Sequence, residues 1–230
     1  MLCKVADLLV EIPAAGGMEL RCRDYLCPQG EADITIDETR YCLDEWEGIP
    51  EQSLAYMASG EQFYWALLRF SGMMLHSSAV EYEGKAYLFS GPSGMGKSTH
   101  TRLWREAFGE GVTVFNDDKP ALRRFDGEWF AYGTPWCGKD GINVNKKVPL
   151  AGICFLRRGR ENSIRRLSAV EILPRLMAQT PHNLGPNAMD HLLALVEKLM
   201  AEVSVFELHC LPDTDAARMS YAAMKGEETC

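Results

Sequence analysis

None of the eight cysteines in this chain of 230 residues forms a C-x-x-C pair; they stand at Cys3, Cys22, Cys27, Cys42, Cys137, Cys154, Cys210 and Cys230. A zinc ribbon or a thioredoxin-type dithiol is therefore not expected, and Cys22, Cys27 and Cys42 read as buried or half-buried thiols rather than metal ligands. No apolar run approaches the roughly 18 residues that a membrane-spanning helix needs. Met1–Asp7 carries an acid early, with no long apolar stretch or small-residue cleavage site after it. The protein is accordingly expected in the cytoplasm, with reduced thiols and no membrane partner. Basic runs are short and the formal net charge is −8, so nucleic acid and anionic membranes are poor partners. Repeats and low-complexity segments are also missing. What remains is a globular composition, 47% hydrophobic and 24% charged, long enough for one domain with an appendage or two small ones.

Against that plain background one stretch stands out. Gly91-Pro92-Ser93-Gly94-Met95-Gly96-Lys97-Ser98 is G-x-x-x-x-G-K-[ST], the phosphate-cradling P-loop. A short apolar run, Ala86–Phe89, precedes it as a buried strand. Behind it Leu103, Ala107 and Phe108 recur at helical spacing. Glycines let the backbone approach phosphates with its N–H groups turned inward, and a helix starting at Lys97 aims its positive end at the same place. Gly91, Ser93, Gly94, Met95, Gly96, Lys97, Ser98 and Thr99 form the expected nucleotide cradle. Lys97 would reach the β- and γ-phosphates and Ser98 would ligate Mg²⁺, so ATP and Mg²⁺ are the expected ligands.

The apolar run Val112–Phe115 reads as another buried strand, with Asn116-Asp117-Asp118 at its C-terminal end, where open α/β sheets place their ligand chemistry. Adjacent carboxylates there are costly unless a cation or proton shares them.

Elsewhere the pattern predicts a small antiparallel β layer over residues 1–50, with strands at Val5–Ile12, Met18–Arg23 and Ala32–Ile36. A helix is expected over Glu51–Gly72, broken near Ser59-Gly60. Leu75–Glu81 and Lys85–Ser90 should form a hairpin, and Asp126-Gly127 should turn a second one. Val148–Leu156 and Ile164–Leu167 read as strands and Ser204–Cys210 as the last. Helices are expected after caps at Ser168 and Asn187 and over Thr214–Met224. The division expected is 1–50 as a β-rich extension and 51–230 as the nucleotide-binding domain.

The set H-S-S-A-V from His76, the P-loop, Asp-Asp only 20 positions after Lys97, and Gly138–Val144 resembles the P-loop kinase domain of HPr kinase/phosphorylase. It also resembles the related nucleotide site of phosphoenolpyruvate carboxykinase. G-K-S-T-H-T-R-L-W and G-T-P-W-C-G-K look most like a small single-domain branch of that family. The resemblance covers about Met74–Arg160. It implies an α/β fold with a mixed sheet and an ATP- and Mg²⁺-dependent kinase that phosphorylates a hydroxyl, on a small metabolite or on a serine or threonine of a peptide or small protein. Asp117 would be the base, and Asp118 with Ser98 would hold Mg²⁺, although the two aspartates could exchange roles. His76 would hydrogen-bond Asp117 or lie beside the metal, and Lys139 would supply a second cation. Thr99-His100 stands where HPr kinases carry an acid after the Walker serine, and Trp136–Lys139 where they carry Glu-Ile-Arg. Both departures argue against HPr as the acceptor. The same motifs also fit a catalytically silent ATP-binding regulator or a partner-stimulated ATPase. Of the remaining side chains, His100 reads as helix surface, Cys137 as a small exposed thiol, Trp136 as a substrate stack or a core cap, and Arg157, Arg158 and Arg160 as a solvated strand end.

Overall fold

A computed structural model describes residues 1–39, 50–181 and 185–226; Cys42, His182 and Cys230 lie outside these. In chain order, β1 (Leu2–Val5) and β2 (Leu8–Glu11) are followed by α1 (Met18–Cys22) and β3 (Ile34–Thr35). Next come α2 (Glu51–Leu67), β4 (Gly72–Met74), β5 (Ser77–Tyr82), β6 (Lys85–Ser90) and α3 (Lys97–Phe108). The second half contains β7 (Thr113–Asn116), β8 (Ala121–Phe125), β9 (Glu128–Tyr132), β10 (Lys147–Arg158), β11 (Ser163–Arg166), α4 (Ala169–Met177), α5 (Pro186–Glu202), β12 (Ser204–Cys210) and α6 (Thr214–Lys225). None of the described helices is long and apolar enough to cross a membrane.

The main sheet is mixed and runs β4-β8-β9-β10-β6-β5-β7, with β12 on the other side of β10's C-terminal half and β11 beyond it. The twelve-residue β10 joins two parts. Lys147–Pro149 pair antiparallel with β9, and from Leu150 onward the strand pairs parallel with β6 and then also with β12. The irregularity between Leu150 and Gly152 marks this change of partners, and it lies next to Pro149, which donates no ladder hydrogen bond.

The position of the site follows from β5. This strand pairs antiparallel with β6 on one side, Ser77 opposite Ser90, and with β7 on the other, Ala79 opposite Asn116. Strands β6 and β7 therefore run parallel to each other, and both end beside the start of β5. The register alone brings His76, Gly91 and Asp117 to one edge. Both faces of the sheet are covered. Leu88, Ile153, Phe155 and Val205 pack against Ile172, Leu176, Leu195 and Leu199 of α4 and α5. Phe89 and Cys154 face Leu103, Trp104 and Ala217 of α3 and α6 on the other side.

A third core joins the N-terminal segment to α2 and the β8–β9 hairpin through Val5, Val10, Ile12, Met18, Phe63, Leu67, Tyr132 and Trp136. Here several expectations are corrected. Val5–Ile12 is two strands of a hairpin, because Ala6 and Asp7 adopt positive φ of 52° and 62° and turn the chain between them. Met18–Arg23 is mostly helix, with Met18 and Cys22 buried four residues apart, a spacing that satisfies one helix face better than one strand face. The β3 strand pairs parallel with β2, so the layer is mixed. Helix α2 passes through Gly60 unbroken, and the glycine there makes room for the Trp136 indole, whose Cδ1 would stand 2.9 Å from a Cβ. Helix α5 begins at Pro186, after Gly185 rather than Asn187. Proline is suited to a first helical position because no intrahelical acceptor is available for an N–H there.

Residues 142–144 cross the end of β7, and Val144 N–H donates to Phe115 O at 2.8 Å. Gly133 fits beneath this crossing: a Cβ there would stand 1.8 Å from Val144 O and 2.9 Å from Phe115 O. Gly133→Ala should cost about 3 kcal/mol or more, since backbone on both sides must move. Chemical denaturation would check this, and a midpoint equal to the parent's would refute the tightness of the crossing.

Candidate active site

The glycine-rich turn joins the end of β6 to the start of α3. Gly91, Gly94 and Gly96 have φ of 147°, 76° and 109°, a region that favours glycine. At Gly94 and Gly96 a Cβ would meet nothing within 4 Å, so the conformation, and not crowding, calls for glycine there. Lys97 opens α3 and is buried, and its ammonium donates to Gly91 O at 2.9 Å. Ser93 and Ser98 are exposed, and Met95 and Thr99 are half-buried. Helix α3 is fixed from behind by Ser220, whose hydroxyl donates to Ala217 O and accepts from Trp104 Nε1 at 3.0 Å.

With its proton so used, Ser220 accepts from His100 Nε2 as well, at 3.1 Å. His100 is thus a core residue rather than helix surface, and burial lowers it to about 3, which leaves the ring neutral. Its other nitrogen, Nδ1, is a buried acceptor with no partner among the described residues. A cleft of about 390 Å³ next to the P-loop is lined by His100, Thr99, Arg158 and Leu211. Arg158 donates to Gly94 O at 3.0 Å, while Arg157 turns to the buried Glu207.

The acidic turn is built by Asn116. Its side-chain oxygen accepts from the N–H groups of Asp118 (3.0 Å) and Lys119 (2.8 Å), and its amide donates to Thr134 O. Ser78 Oγ and Ser77 N–H hold the carbonyls of Asp117 and Asp118 from β5. The two carboxylates then part. Asp117 Oδ1 accepts from Gly138 N–H at 2.6 Å. Asp118 Oδ1 meets His76 Nε2 at 3.1 Å, while Oδ2 pairs with Lys119 and accepts from Tyr56 OH. His76 is held in turn by Gln179, with Nδ1 and Oε1 3.0 Å apart.

Their proton affinities diverge as well. Burial raises Asp117 above the ordinary aspartate value against the Gly138 N–H, and the nearby Asp118 and Asp140 charges add to the rise. Burial alone would also raise Asp118, but the His76 hydrogen bond and the Lys119 ammonium hold it well below that value. Lys97 is lowered by burial, with the Asp118 charge offsetting part of the effect, so the P-loop lysine and the acidic turn share one electrostatic field.

Of the two placements expected for His76, the structure has the second: it hydrogen-bonds Asp118, the aspartate expected beside the metal, and not Asp117. Lys139 is exposed on its loop, and the cation at the carboxylates is Lys119, whose adjacency to Asp118 in sequence was the available signal. Cys137 is buried and accepts from Arg21 at Sγ, 2.9 Å away. Trp136 is fully buried, stacked on Phe63 at 4.6 Å, so it belongs to the core. Tyr56 and Arg21, which the sequence reading passed over, enter the site from α2 and α1. Among the described residues no group of three metal-binding side chains occurs. The hydroxyl and carboxylate of Ser98 and Asp118 are the hard oxygen donors that suit Mg²⁺ shared with phosphates.

No family model matches this chain, and no curated protein matches it by sequence. Among solved structures, the Hpr(Ser) kinase/phosphatase from Coxiella burnetii is similar at 9% sequence identity and a TM-score of 0.37, over 65% of this chain and 93% of that one. This is a distant likeness of fold, and the chemistry of the site rests on its own residues.

Because Asp118 is held below its unfolded value, its charge stabilises the fold above about pH 4, and this contribution is lost as the pH falls through the lowered value. Asp118→Asn should therefore cost about 1–3 kcal/mol near neutral pH. The deficit should shrink on acidification. Thermal melts across the acid range would show this, and a deficit independent of pH would refute the charged-pair account.

Proposed function

We propose that this chain is an ATP- and Mg²⁺-dependent phosphotransferase that moves a γ-phosphoryl group to a hydroxyl. The acceptor class is a small metabolite or a serine or threonine of a peptide. The observation that carries this reading is that the register of β5 brings a buried lysine at the glycine turn to the same edge as two adjacent carboxylates, one held by Gly138 N–H and the other by His76 and Lys119. A nucleotide would lay its phosphates along Gly91–Thr99, under the positive end of α3. Its base and ribose would enter the adjoining cleft lined by Thr99, Arg158 and Leu211.

Lys97, now on the Gly91 carbonyl, would swing to the β- and γ-phosphates as its rotatable stem allows. Mg²⁺ held by Ser98 and Asp118 would neutralise charge on the phosphoryl oxygens. Asp118 suits that ligand role because it stays ionised. Asp117 suits the base role because its raised affinity lets it take the acceptor's hydroxyl proton. Gly138 N–H aims that carboxylate, and His76 with Lys119 aims the other.

Asp117→Asn should keep ATP affinity and lower phosphoryl transfer by about 10²–10⁴-fold, as measured with γ-labelled ATP. Lys97→Ala should weaken ATP binding itself. In the parent, kcat/KM should rise with pH along an acid limb whose midpoint lies above the ordinary aspartate value, and Asp117→Asn should abolish that limb. Full transfer by Asp117→Asn would remove the base assignment.

A further inference from the structure

A second and larger pocket, about 810 Å³, is lined by Tyr56 and Lys119, both partners of Asp118, and its size falls in the roughly 300–1,000 Å³ range of small-molecule sites. Met57, Tyr64 and Met74 give it apolar walls, and Arg21, Tyr56 and Lys119 line it too. These last three form its polar end. The Arg21 guanidinium lies 4.7 Å and the Lys119 ammonium 5.0 Å from the centre of the Tyr56 ring. Lys119 Nζ donates to Tyr56 OH at 3.0 Å and also pairs with Asp118, so its charge is already compensated. Glu61, which also lines the pocket, has a partner of its own.

Arg21 is different. Both of its hydrogen bonds leave from Nη1 and end on neutral acceptors, Cys137 O at 3.2 Å and Cys137 Sγ at 2.9 Å. Among the described residues no carboxylate pairs with it. A half-buried guanidinium that among the described residues has neutral acceptors alone on Nη1 and no carboxylate partner offers a site to an oxyanion. It is also tied to the proposed chemistry. Cys137 O accepts from both Arg21 and Tyr56, and the next residue, Gly138, donates to Asp117. One short stretch of backbone therefore connects the anion anchor to the base.

We infer that this pocket holds the phosphoryl acceptor, a small hydroxylated molecule whose carboxylate or phosphate sits on Arg21 and whose hydrocarbon part lies on Met57 and Met74. The inference rests on the phosphotransferase reading above. In the step, the acceptor oxygen forms a bond to the γ-phosphorus and its proton passes to Asp117. The bond from that phosphorus to the bridging oxygen breaks, and its electron pair leaves with ADP.

The test uses the full chain, γ-labelled ATP and a metabolite extract split beforehand into anionic and non-anionic pools, beside a set of serine- and threonine-containing peptides. Label should enter the anionic pool alone. Phosphatase treatment of that pool before the assay separates the two anchors, since it removes phosphate-borne acceptors and spares carboxylate-borne ones. Arg21→Gln should raise the acceptor KM roughly ten- to a hundredfold, with ATP affinity unchanged and Arg21→Lys recovering part of the loss. Circular dichroism melts of both variants exclude unfolding as the cause. Label entering only the non-anionic pool or only peptides would overturn the inference, as would an unchanged acceptor KM in folded Arg21→Gln. ATP binding without transfer to any pool would overturn it too, while leaving the nucleotide site standing. Absence of ATP binding would instead remove the reading on which it rests.

Discussion

Two neighbouring carboxylates, one buried and one half-buried at the end of a strand, repel each other and lose hydration, and the surrounding structure is arranged around that difficulty. The answer begins with Asn116, whose side chain turns the backbone so that Asp117 and Asp118 face different partners. Asp118 is compensated by a histidine, an ammonium and a phenol drawn from the β4–β5 link, the turn itself and α2. Among the described residues the Asp117 carboxylate is held by the backbone N–H of Gly138 and by its own, while burial raises it. Although adjacent in sequence, the two have different environments: burial raises Asp117, while His76 and Lys119 hold Asp118 low.

That arrangement depends on β5 as the shared neighbour of β6 and β7. Antiparallel pairing on both sides sets the P-loop and the acidic turn at one edge, and the cores on either face of the sheet hold the register. The P-loop helix gains rigidity from Trp104, His100 and Ser220, which link it to α6, so the glycine turn hangs between fixed elements. One pocket adjoins the glycine turn, and the other is lined by Lys119 and Tyr56, the partners of Asp118.

Much of this was legible in the residues. The P-loop with its strand and helix, the two hairpins, the long strand over Val148–Leu156 and the capping box of Ser168 with Glu171 all rest on local signals. The glycine spacing, apolar period and turn residues lie within a few positions of what they govern. The N-terminal segment was misread for the opposite reason. Met18–Arg23 alternates as a strand would, yet its burial is decided by contact with α2 and the β8–β9 hairpin, and tertiary packing overrode the local pattern. Gly60 looked like a helix break for the same reason, since the Trp136 indole that accounts for a glycine there is remote in sequence.

The sequence by itself determined where the glycines, Lys97, Ser98, Asp117 and Asp118 stand relative to their strands and helix, and these with His76 are the groups on which the proposed function draws. Their types and local spacing follow from what phosphates and protons require. Only the tertiary structure decided how they are partnered, with His76 on Asp118, Lys119 in the place expected for Lys139, and Arg21 and Tyr56 at the site. Those pairings join residues up to 116 positions apart. Strand register and the burial of charge select them, and both are properties of the packed sheet that no short window of sequence contains.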